Sequence, residues 1–109
     1  MATGRVATTQ LNSGNIATMV SAYTIPTGYY GIYNVSFTNT TASAVTIRLA
    51  VSATGTPGAS EYYEYGTTII PNGVFERTGL AIQAGYQIQC SASASGVNVN
   101  VYGIETSTS

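Results

Sequence analysis

Three glutamates, Glu61, Glu64 and Glu76, are the side chains of this sequence most easily imagined doing chemistry. Two carboxylates at a fixed separation can hydrolyse a glycosidic bond. Yet in an extended segment Glu61 and Glu64 fall on opposite strand phases, since side chains alternate. With four Glu and three Arg in the chain, the acids read as solvated or Arg-paired. There is no His, so neither a Ser–His triad nor a His-based metal site is available. The single Cys90 can build neither a zinc site nor an internal disulfide. It lies in phase with Tyr86 and Ile88 and reads as a small buried apolar residue. The sequence is therefore expected to carry no catalytic residue, no metal and no cofactor.

The nine tyrosines offer recognition rather than reaction. Tyr29, Tyr30, Tyr62, Tyr63 and Tyr65 cluster in two stretches. A tyrosine presents a flat apolar face and a polar tip, so three roles stay open for them: core filling, a subunit interface, or stacking on sugar. Glu76 and Arg77 are adjacent, so on a strand they point to opposite faces and cannot easily pair with each other. A guanidinium suits a carboxylate, and Arg77 is expected to pair with Glu61 or Glu64, in its own chain or a symmetry mate. The candidate interface residues are Arg48, Tyr29, Tyr30, Glu61, Tyr62, Glu64, Glu76 and Arg77. Asn34-Val35-Ser36 and Asn39-Thr40-Thr41 match the glycosylation pattern, a match expected by chance in a chain so rich in Thr.

Only 6% of residues are charged, against a usual share of about 25%. In their place stand 17 Thr and 11 Ser. Such a chain either shows water a neutral hydroxyl surface or covers much of its surface with partners. The net charge of −1 argues against nucleic acid, which calls for clustered Lys and Arg. No apolar run approaches the roughly 20 residues that span a bilayer. Met1-Ala-Thr-Gly-Arg5 lacks the apolar centre of a signal peptide, so the chain is expected to be made in a cytoplasm and used as made.

The elements that would position these residues are strands. Val45, Ile47, Leu49 and Val51 alternate with Thr46, Arg48, Ala50 and Ser52. That period of two marks one face in a core and one facing out, with Arg48 outward. Tyr33, Val35 and Phe37 share an inner phase within a strand over 29–39, and Val97-Asn98-Val99-Asn100-Val101 alternates as strictly. Further strands are expected over 16–25, with a bulge near Ser21-Ala22, and over 61–69, 74–82 and 86–91. Strand 29–39 is expected to form a hairpin with 45–52, and 86–91 with 97–103. Short strands at this spacing, with no helical period, give an all-β fold: one antiparallel β-sandwich or jelly-roll-like domain of about eight strands. The expected layout is an N-terminal arm or edge strand over 1–14, the sandwich over 15–105 and a polar tail over 106–109.

Several pieces of this pattern resemble a small β domain of tailed-phage virions. They are Tyr23-Thr24-Ile25-Pro26-Thr27-Gly28, Asn34-Val35-Ser36-Phe37-Thr38-Asn39 and Val45 to Val51. Glu61-Tyr62-Tyr63-Glu64-Tyr65, Pro71 to Leu80, Ala84-Gly85 and the stretch from Val97 to Gly103 extend the likeness to roughly residues 20–105. It is especially similar to virion proteins of phages of marine bacteria and cyanobacteria. The resemblance implies a noncatalytic virion protein, first a capsid decoration (cement) protein on the head. The alternative is a tail-fibre, neck or baseplate adaptor that binds host-surface glycan or another virion protein. It implies a homo-oligomer, often a trimer, bound to the major capsid protein or other virion proteins, with no nucleic acid and no membrane as partner.

Overall fold

The computed structural model describes residues 3–11, 14–54 and 56–107. Residues 1, 2, 12 and 13 of the expected arm and 108–109 of the expected tail lie outside the described residues. The strands are β1 (Thr3–Leu11), β2 (Val20–Thr24), β3 (Tyr29–Asn39), β4 (Val45–Ser52), β5 (Tyr62–Ile69), β6 (Val74–Ile82), β7 (Gln87–Ala92) and β8 (Val97–Ser107). The only helical element among the described residues is a single 3-10 turn, Ala59–Glu61. The fold is all-β.

Two antiparallel four-stranded sheets, ordered β1-β8-β3-β6 and β2-β7-β4-β5, face each other. The chain behaves as one long hairpin with its tip between β4 and β5. From that tip backwards β4 pairs with β5, β3 with β6, β2 with β7 and β1 with β8. Rolling the hairpin up brings β3 beside β8 and β4 beside β7. This is the jelly-roll arrangement, two Greek keys closed over one core.

The topology overturns both expected hairpins. β3 and β4 lie in opposite sheets, and so do β7 and β8. Alternation shows which face of a strand is buried but not which strand lies beside it. The segments 40–44 and 93–96 are arches that carry the chain from one sheet to the other. They bond to each other, with Thr40 N–H and Thr40 Oγ1 donating to the Gly96 carbonyl at 3.1 and 2.5 Å. A third arch, Ile70-Pro71-Asn72-Gly73, sits at the same end. It is a type II turn: Gly73 N–H donates to the Ile70 carbonyl at 2.9 Å, and Asn72 takes the positive φ of 58°.

Asn39 ties these arches together. It is fully buried. Its Nδ2 donates to the carbonyls of Ser43, Ile69 and Ile70 at 2.8, 3.3 and 3.1 Å. Its Oδ1 accepts from Thr41 N–H and Thr41 Oγ1 at 3.0 and 2.7 Å. The glycosylation match there is thus a buried structural amide.

The expected inner phases are the observed ones. Tyr33, Val35, Phe37, Ile47, Leu49 and Ile88 are fully buried, and each large apolar side chain contributes about 1.5–3 kcal/mol. The bulge expected near Ser21-Ala22 is present, as a register slip between Ser21 and Tyr23.

Three local readings need correction. The strand expected from 16 starts only at Val20. Asn15 first closes a turn, accepting from Ala17 N–H through Oδ1 and from Thr18 N–H through its carbonyl. Ala50 and Ser52, placed outward by phase, are 0% and 1% exposed. Neighbouring segments lie over that face: Ser91 Oγ donates to the Ile16 carbonyl at 2.6 Å, and Gln89 Nε2 to the Thr54 carbonyl at 2.8 Å. Finally, β8 runs on to Ser107, past the residue where a polar tail was expected to begin.

Candidate functional site

Two surfaces gather most of the candidate residues. The first is the outer face of the β2-β7-β4-β5 sheet. Strand β5 slips register twice against β4, skipping Tyr63 and Gly66, whose φ is +90°. These bulges bring Tyr62 and Tyr65, opposite in simple alternation, onto one side, across from Ala50 and Arg48. The two rings stand edge to face, with centroids 4.9 Å apart at 84°. The Arg48 guanidinium carbon lies 4.0 Å from the Tyr65 ring centre, within range of a cation–π contact. Tyr62 and Tyr65, with Ala59 of the 3-10 turn, line a hollow of about 440 Å³.

Two buried polar side-chain atoms without a partner are found among the described residues, and both lie on this sheet: Arg48 Nε and Gln89 Oε1. Arg48 sits opposite Ser91 and Gln89 opposite Ala50, so the two are diagonal neighbours on the outer face. Arg48 has no ion pair among the described residues.

Next to this cluster, the expected partner of Arg77 is present. Arg77 Nη1 meets Glu64 Oε2 at 2.6 Å. Arg77 stands on the inward phase of β6, opposite Val35, but β6 is an edge strand. Its side chain therefore reaches across the open side of the sandwich to β5, the edge of the other sheet. Its guanidinium also lies 5.5 Å from the Tyr63 ring centre, and Thr67 Oγ1 donates to Glu64 Oε1. Glu61 is not on the strand: it ends the 3-10 turn and accepts from Gly58 N–H at 2.7 Å. Glu76 is exposed, opposite Ser36. Glu61 and Glu64 are thus committed to separate local contacts.

The second surface is the outer face of β1-β8-β3-β6. Ile32 of β3 and Ile104 of β8, the two central strands, sit directly opposite each other. They are 58% and 60% exposed. Tyr30, 47% exposed, flanks them on the same phase of β3, and Ala81 extends the row onto β6. Tyr29, by contrast, is half-buried. Toward the arch end this face turns to amides and hydroxyls: Thr8 opposite Asn100, Gln10 opposite Asn98. Sequence reasoning named Tyr30 but missed Ile32 and Ile104. The available signal was an isoleucine on the outward phase next to Tyr33.

Also missed was a buried carboxylate at the end away from the arches. Glu105 is 2% exposed. It accepts from Tyr33 Oη at 2.8 Å and from Tyr23 Oη. Tyr23 belongs to one sheet, Tyr33 and Glu105 to the other, so the cluster stitches the layers together. Burial, then the hydrogen bond to Glu105 and its charge, push the Tyr23 hydroxyl up from 10.0 to about 12. Burial and the same neighbour push Tyr33 upward as well. Gly31 leaves room for this pair, since a Cβ there would lie 2.6 Å from the Tyr33 ring and hydroxyl. Cys90 is fully buried, and burial raises its thiol pKa.

No family model, curated protein or solved structure matches this chain.

Proposed function

We propose that the chain is a noncatalytic structural subunit of a virion, a capsid decoration protein that works by packing against copies of itself and against the shell. The observation that carries this reading is the Ile32–Ile104 pair. Two isoleucines more than half exposed stand side by side on the central strands of one sheet. Contiguous apolar surface of this kind marks an interaction site.

The rest of the face fits the same use. Its outward residues are mostly Asn, Gln, Ser and Thr, so little charge has to be desolvated on docking. Its strands are nine to eleven residues long. At about 3.3 Å per residue and about 4.8 Å between strands, the face projects on the order of 600 Å². With side-chain relief that approaches the roughly 800 Å² per partner of a standard interface. Jelly rolls are a recurrent architecture of viral capsid domains, and the phage-like sequence pieces support the same reading.

A fibre or baseplate adaptor that holds glycan is the second reading. The observation favouring it is the exposed Tyr65 beside Arg48 and Tyr62. Because the two rings meet edge to face, they give no side-by-side platform for a glycan held by stacking on both; a sugar there would have one ring face and the Arg48 charge to bind to.

Sedimentation velocity tests the assembly. The wild-type chain is expected to sediment as an oligomer at micromolar concentration. Ile32→Glu with Ile104→Glu is expected to sediment as a monomer while keeping the wild-type circular dichroism. A wild-type chain that stays monomeric, with no partner cross-linked to this face in purified particles, rules the proposal out.

A further inference from the structure

We propose that the hollow beside Arg48 binds a carboxylate-bearing sugar, a uronic acid residue of an acidic glycan. The site lies on the sheet opposite the proposed packing face, so it stands or falls separately from the assembly proposal. It gives chemical content to the adaptor reading.

Three observations meet there. First, Arg48 is one of three cations in the chain. Among the described residues it makes no ion pair and no hydrogen bond, only the stack on Tyr65. That contact holds the guanidinium carbon 4.0 Å above the Tyr65 ring centre. The N–H edge stays uncommitted, and this is the edge that takes a carboxylate in bidentate fashion. Arg77 has found Glu64; Arg48 has found no such partner.

Second, the hollow is lined by tyrosine. Tyr65 is 65% exposed and Tyr62 stands edge-on to it. The volume of about 440 Å³ falls within the usual size of small-ligand sites. A pyranose ring offers an apolar C–H face to an aromatic ring and hydroxyls to its rim, and a uronate adds the planar anion that Arg48 lacks.

Third, the described residues hold two buried polar side-chain atoms without partners, and both lie on the sheet that carries these tyrosines: a donor, Arg48 Nε, and an acceptor, Gln89 Oε1, whose residue stands opposite Ala50, itself opposite Tyr62. Gln89 is 1% exposed and its Nε2 is held by Thr54 and Gln87. Folded proteins keep few such atoms, since each costs about 1–3 kcal/mol. The sheet that carries the hollow's tyrosines thus holds polar capacity that the chain does not use itself.

The test is a calorimetric titration of the full chain with an oligogalacturonate and with a neutral galactose oligomer of equal length. The acidic oligomer is expected to bind at least tenfold more tightly, and more weakly as salt is raised. Arg48→Gln is expected to lose at least tenfold in affinity for the acidic oligomer. Arg48→Lys should retain part of it, because an ammonium keeps the charge but not the fork. Ala59→Trp fills the hollow from the exposed 3-10 turn and leaves Arg48 itself unsubstituted, and is expected to abolish binding while the thermal melt stays at the wild-type value. Equal affinity for acidic and neutral oligomers overturns the proposal. So does binding indifferent to both Arg48→Gln and Ala59→Trp, acetate binding as tightly as the uronate, or no binding at all.

Discussion

Alkaline pH should loosen this sandwich at the Glu105 end before it disturbs the arches. A tyrosine in the unfolded chain ionises near 10, whereas folded Tyr23 does so at about 12. Because the folded pKa is the higher one, the protonated hydroxyl is favoured by folding. The corresponding stability is complete below about pH 10 and drains away as pH climbs to about 12. Two units at about 1.36 kcal/mol each set a ceiling of about 3 kcal/mol for Tyr23, reduced by solvent screening at this half-buried hydroxyl, and Tyr33, raised by the same causes, adds to it in the same direction. Against a typical total of about 5–15 kcal/mol, that is enough to shift a denaturation midpoint visibly.

The assay is urea denaturation at a series of pH values, with tyrosinate absorbance followed in parallel. Wild type should hold a plateau up to about pH 10 and then fall. Tyr23→Phe should start lower at neutral pH by about 1–2 kcal/mol, since Glu105 loses a donor. It should then fall less steeply above about pH 10, by up to about 3 kcal/mol, the most that Tyr23 can supply. Parallel alkaline limbs for wild type and Tyr23→Phe would refute the reasoning, because the titrating hydroxyls would then lie elsewhere.

Two further substitutions separate the arch end from the open edge. Asn39→Ala strips the buried amide from the Ser43, Ile69 and Ile70 carbonyls and from Thr41 N–H; at about 1 kcal/mol net per bond, a loss of about 3–4 kcal/mol in urea denaturation is expected. Arg77→Ala should cost less than about 1 kcal/mol, because the Arg77 side chain is 42% exposed and exposed ion pairs contribute little; since its carboxylate lies in its own chain, the sedimentation profile should not change.

Much of this fold can be read from period-two alternation. Val45 to Val51 and Tyr33 to Phe37 turn their apolar phases into the core as the pattern requires. Alternation is silent about neighbours, however, and a jelly roll separates nearly every pair of consecutive strands between its two sheets. The information that decides this lies in the connections: Asn39 and Thr40 bond into neighbouring turns, a choice invisible in a five-residue stretch of Thr, Ala and Ser. The Tyr62–Tyr65 cluster was hidden for a related reason. Strict alternation puts those rings on opposite faces, and only the bulges at Tyr63 and Gly66 bring them together beside Arg48. Glu105 is the plainest omission. It is the last residue of the expected sandwich, beside the polar tail, and sequence reasoning gives it no role, yet it continues the inward phase of Val99 and Val101. Two tyrosines from different sheets meet it there. Its phase was legible from the sequence; the hydroxyls that make the burial tolerable come from strands 72 and 82 residues away along the chain, a distance across which local pattern carries no information.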